Sequence, residues 1–175
     1  MDMSSLDFDR TNSRLTLLDR TGAPNAGPFV AYNNVDSHSK GPWPEGTFAY
    51  QTYLAHAEVA DPDSEYGKFG ILIFSVPNRV GMGVHSGRED IPDGLGRVGP
   101  QHCTLGCIRT TDEAMQAILA AIDGQSMTSI TIRSAAAPQL AMEALRPSRT
   151  RRKQPAKSRR RPKSSRKSKP RTRSP

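Results

Sequence analysis

The apolar residues of this chain come in short alternating or β-branched runs, cut every few positions by Gly, Pro, Asn or Asp, and only one stretch takes a helical period. This pattern predicts a mainly β domain with one buried helix and excludes an alternating βαβ fold. Strands are expected over residues 14–19, with Leu15 and Leu17 on one face, over 28–32, and over 47–54, where Phe48, Tyr50, Thr52 and Leu54 alternate with smaller residues. Residues 69–76 read as a strand buried on both faces, 80–84 as a short strand leading into His85, and 128–133 as a last strand with Ile130 and Ile132 inward. Between them lie Gly/Pro-rich loops at 40–46 and 86–102. The helical stretch follows Thr110-Thr111-Asp112-Glu113, a capping-box pattern with Thr110 at the N-cap. Met115, Ile118, Leu119 and Ile122 then share one face, and Gly124 stands at the C-terminal cap. A short helix is expected near residues 138–145.

Charge divides the chain in two. Residues 146–175 hold 15 of the 25 Lys/Arg and no acidic residue, which leaves 10 basic against 17 acidic residues in 1–145, a formal −7. An acidic catalytic-sized domain, 1–145, is therefore expected to carry a disordered Arg/Lys/Ser/Pro tail, 146–175, with no apolar face on which to fold. Such a tail suits nonspecific contact with a polyanion or an anionic membrane, and it lacks aromatic residues for stacking on bases. The N-terminal residues show neither a basic nor an apolar signal region, so no secretory signal is expected, and no apolar run reaches the ~18 residues of a membrane span.

The chemistry concentrates in Thr104-Leu105-Gly106-Cys107-Ile108-Arg109-Thr110 and, upstream, in Gly83-Val84-His85-Ser86-Gly87. A thiol attacks carbonyls as thiolate, and only about 3% of an ordinary cysteine is ionised at pH 7. His85 is the candidate base. Arg109 and the start of the following helix are expected to favour the anion, and Gly106 to let backbone N–H groups face an oxyanion. Thr104 is expected to orient the imidazole.

His85-Ser86-Gly87 followed by Thr104-x-Gly106-Cys107-x-Arg109 resembles the L,D-transpeptidase catalytic domain of bacterial cell-wall enzymes, whose histidine is followed by Ser/Thr-x-Gly-Cys-x-Arg/Asn. Pro44-Glu45-Gly46-Thr47-Phe48 is similar to that family's Pro-x-Gly-x-Tyr/Phe strand entry, and residues 123–130 to the strand after its helix. The resemblance spans roughly residues 10–133. It implies a mainly β, β-sandwich-like fold, an acyl-enzyme on Cys107, and peptidoglycan tetrapeptide stems as partners. The products would be 3→3 crosslinks or, with water as acceptor, trimmed tripeptides. It also implies acylation by carbapenem-type β-lactams and no metal or organic cofactor. Leu105 stands where many members have a second histidine, for which His102 is a substitute candidate. The family's usual export signal is not expected here, which resembles cell-wall-attacking effectors delivered by type VI secretion. Action in the periplasm or cell wall would then need another export route.

Other readings stay open at this point. Cys107 as a buried structural residue is one, and a zinc site from His85, His102, Cys103 and Cys107 is another. A Cys103–Cys107 disulfide would silence the nucleophile. A polyanion-binding protein with a degenerate catalytic domain is the reading from a different class.

Overall fold

The computed structural model describes residues 3–55, 63–122 and 126–134. Eight strands run in the chain order Met3–Asp9 (β1), Arg14–Leu18 (β2), Pro24–Tyr32 (β3), Gly46–Leu54 (β4), Ile71–Phe74 (β5), Gly83–His85 (β6), Ile108–Thr110 (β7) and Ser126–Arg133 (β8). They close into a barrel in the order β1-β2-β3-β7-β6-β5-β4-β8. The sheet is thus a closed barrel where a sandwich-like fold was expected. What closes it is β1, which pairs in parallel with β8 and antiparallel with β2.

That strand escaped the sequence reading because Asp7 and Asp9 disfavour strand structure on propensity. Across the sheet, Arg133 pairs with both carboxylates, Nε lying 2.9 and 3.0 Å from the Asp7 oxygens and Nη1 2.9 Å from Asp9. The alternate residues Leu6 and Phe8 turn inward opposite Ile130 and Ile132, and all four are buried. Alternation on the core face therefore overrides propensity on the other.

The core also takes Leu15, Leu17, Leu72, Phe74, Val84 and Ile108, with Trp43 packed edge-on to Phe48 and Phe74 at centroid distances of 5.6 and 6.1 Å. The helix, Asp112–Ala121 (α1), follows β7 directly and buries Ala114, Met115 and Ile118. Its N-cap is Thr111, one residue later than the sequence pattern placed it: Thr111 Oγ1 accepts the Ala114 amide at 3.1 Å. The strand expected over 80–84 is Gly83–His85, and that over 69–76 is Ile71–Phe74. Gly124, the helix expected near 138–145 and the basic tail lie outside the described residues. No helix among the described residues is long and apolar enough to cross a membrane.

Because Leu6 is fully buried on the strand that closes the barrel, Leu6→Ala is expected to cost about 2–5 kcal/mol. A lowered urea midpoint with an unchanged denaturant slope is the expected observation. An unchanged midpoint would contradict the role given to β1.

Candidate active site

The strands β6 and β7 pair in parallel, with Val84 opposite Ile108 and His85 opposite Arg109. Val84 and Ile108 are fully buried in the barrel core. Alternation then puts His85 and Arg109 on the opposite, outer face of the barrel wall, and Cys107 immediately precedes β7. The sequence motifs, 22 positions apart, are brought together by this one pairing. A further segment packs over the outer face: the Glu65 carbonyl accepts Arg109 Nη1 at 2.9 Å, and the Tyr66 ring meets the His85 ring edge-on at 5.0 Å. His85 and Arg109 are each 2% exposed, whereas Cys107 is half-buried.

One carbonyl organises the pair. Ser86 O accepts His85 Nδ1–H at 2.8 Å and Arg109 Nη1 at 2.9 Å. A carbonyl can only accept, so the proton of the neutral imidazole sits on Nδ1 and the lone pair on Nε2.

The cysteine turn is fixed separately. Thr104 Oγ1 donates to the Cys107 carbonyl at 2.8 Å and accepts the Gly106 amide at 3.0 Å. Its hydroxyl is therefore spent inside the turn and not on the imidazole, contrary to expectation. The Gly106 N–H is spent with it and is not an oxyanion donor. Gly106 has φ +140°, a backbone conformation that favours glycine, while a Cβ there would crowd only the movable end of Met82. Asn33, which no motif marked, donates Nδ2 to the carbonyls of Gly106 and Cys107 at 2.8 and 3.0 Å, while its Oδ1 accepts the Trp43 amide at 2.7 Å. The turn is thereby tied to the core. Only these long-range bonds identify Asn33, and nothing local in its sequence could have done so.

The electrostatics correct one expectation. Burial pushes the Cys107 thiol above its ordinary value, and the opposing pull of the Gly83 amide and Arg109 does not win. The helix adds little, since its first turn already carries Asp112 and Glu113. Burial, then Arg109, lower His85 to about 3, against the raising effect of its bond to Ser86. Arg109 itself is lowered to about 10, by burial first, and stays charged at neutral pH. At rest both the Cys107 thiol, whose Sγ meets the Gly81 carbonyl at 3.7 Å, and the His85 imidazole are neutral, so the lowering of the thiol expected from Arg109 and the helix does not prevail.

Cys103 and Cys107 are both free thiols. The four-residue zinc set does not assemble. The one group of three or more such ligands that converges among the described residues is Asp93, His102 and Cys103, with ligand atoms within 4.8 Å of one another. Asp93 there accepts the amides of Leu95, Arg97 and Cys103 and the Arg97 Nε. Burial, and then the hydrogen bond to Asp93, push the Cys103 thiol up. His102 turns its Nδ1 to the Cys103 carbonyl at 2.8 Å and belongs to this group, which leaves the place of the second histidine to Leu105, 71% exposed.

Among solved structures, the chain is similar to L,D-transpeptidases. The L,D-transpeptidase of Stackebrandtia nassauensis is 12% identical, with 74% of this chain and 55% of that one covered and a TM-score of 0.48. That of Xylanimonas cellulosilytica is 16% identical, with 74% and 60% covered and a TM-score of 0.48. L,D-transpeptidase 1 of Mycobacterium tuberculosis is 15% identical, with 75% and 62% covered and a TM-score of 0.44. The chain thus spans between 55% and 62% of the length of these structures. No protein-family model and no curated protein sequence matches it.

The lowered His85 has a consequence for stability. Below its ordinary value of 6.5, the unfolded chain binds a proton that the folded chain refuses until about pH 3, so stability falls as pH drops through this window. The slope from this group is at most about 1.4 kcal/mol per pH unit. Between pH 6.5 and 4.5, above the titration of the lowered carboxylates Asp9, Asp19, Asp36 and Asp93, His85→Gln should flatten the loss measured by urea unfolding. Parallel curves for the two proteins would contradict a buried neutral His85.

Proposed function

We propose that the protein is a cysteine acyl-transferase acting on peptidoglycan stem peptides, an L,D-transpeptidase with its acyl-enzyme on Cys107. What supports this reading is the parallel pairing of β6 with β7, which sets His85 opposite Arg109, two residues after a partly buried Cys107, with the imidazole tautomer set by the Ser86 carbonyl. As Cys107 Sγ attacks the diaminopimelate carbonyl of a tetrapeptide stem, its proton passes to His85. The carbon–nitrogen bond to the terminal D-alanine breaks, and His85 returns the proton to the leaving amine. Burial beside Arg109 makes the imidazolium a strong acid, which favours that second transfer. Arg109 also favours the thiolate as it forms.

A side-chain amine of a second stem then attacks the thioester, giving up its proton to His85, and the restored thiolate takes that proton back. The product is a 3→3 crosslink. With water as acceptor the same site releases a tripeptide, the L,D-carboxypeptidase outcome. The basic residues 146–175 would add nonspecific contact with a polyanion or an anionic surface.

Intact-mass spectrometry after exposure to meropenem tests the nucleophile. The wild type should gain one adduct, Cys107→Ala none, and His85→Ala should slow acylation by about 10²–10⁴-fold. Deleting residues 146–175 should leave the acylation rate unchanged and abolish retention on a polyanion column. Absence of any adduct on the wild type would remove the basis for this function, and digestion of purified muropeptides would separate crosslinked dimer from tripeptide.

A further inference from the structure

The carbonyl that orients His85 belongs to a residue gripped from a third direction. Ser86 is fully buried, and its Oγ donates to Asp112 Oδ1 at 2.5 Å. Asp112 is the first residue of α1, 8% exposed, directly after the Thr111 cap. Its carboxylate is held in turn by the Lys68 amide at 3.3 Å on Oδ1 and by Lys68 Nζ at 3.9 Å on Oδ2. Gly67, at φ +68°, packs so closely that a Cβ would overlap Ser86 Oγ and lie 2.7 Å from Asp112 Oδ1. The contact leaves Ser86 no room to shift toward residue 67.

We infer that Asp112 is a positioning residue for His85, acting through the Ser86 side chain to fix the carbonyl that sets the ring orientation and tautomer of the imidazole. The inference rests on the acyl-transfer reading for the partnership of His85 with Cys107 and for which substrate is turned over, because the geometry it explains is that of His85. Arg109 holds the same carbonyl from the other side. Loss of Asp112 therefore loosens the histidine without freeing it. An error of about 1 Å in a catalytic group can lower a rate about 100-fold. The expected loss here is about 10- to 100-fold, in the rate of the chemical step rather than in affinity. Asparagine keeps an oxygen acceptor at the same place and should restore the rate. Alanine removes it.

The test measures alkylation of Cys107 by iodoacetamide, localised by peptide fragmentation, beside acylation by meropenem. Asp112→Ala should slow both about 10- to 100-fold with little change in the half-saturating meropenem concentration, and Asp112→Asn should remain within a few-fold of wild type. Ser86→Ala should match Asp112→Ala, and the double variant should be no slower than either. In a His85→Gln background, Asp112→Ala should have no further effect on alkylation. Equal slowing with and without His85, or asparagine as damaging as alanine in variants that melt like the wild type, would overturn the inference. If meropenem fails to acylate the wild type while the alkylation pattern holds, the acyl-transfer reading fails and the positioning role stands.

Discussion

The site depends on a single peptide carbonyl, that of Ser86, which a buried guanidinium and a buried imidazole share. Burying Arg109 away from water is expensive unless its donors are met, and the two carbonyls of Ser86 and Glu65 meet part of that demand. The same bonds have a geometric result. They fasten the end of β6 and the segment containing Glu65 to β7, so that the wall carrying His85 and Cys107 is held from its outer side. The arginine of the cysteine motif is thus both a charge near the thiol and a clamp on the histidine's partner.

Burial decides the protonation state of this site. The enclosure that orients His85 also removes the water that would stabilise either a thiolate or an imidazolium, and Arg109 further disfavours the second cation. A neutral pair has to move its proton during attack. The arrangement stores a weak base that becomes a strong acid once protonated, which fits expulsion of an amine better than generation of a standing nucleophile.

Much of the site was legible in the sequence because Cys107, His85 and Arg109 are residue types with few other uses in such a motif, and Gly106 stands where the backbone favours glycine. What stayed hidden acts through the backbone or across long sequence distances. Ser86 works by its carbonyl, which any residue possesses, and Asn33 reaches the cysteine turn from more than 70 positions away. The role expected for Thr104 was misplaced because a hydroxyl bonds what is nearest, here the turn's own amide and carbonyl. In the fold, alternation revealed most strands and the helix. Closure of the barrel rests on pairing β1 with β8, near opposite ends of the described chain, and Asp7 and Asp9 read as strand residues only once Arg133 is seen beside them.

The most direct test of this account is the ionisation of the pair itself, followed by the ring resonances of His85 and the alkylation rate of Cys107 across pH. The account predicts a His85 that takes up no proton from pH 8 down to 5, and a Cys107 that ionises above the ordinary thiol value. A His85 that is protonated at pH 7 beside a Cys107 already ionised there would contradict it.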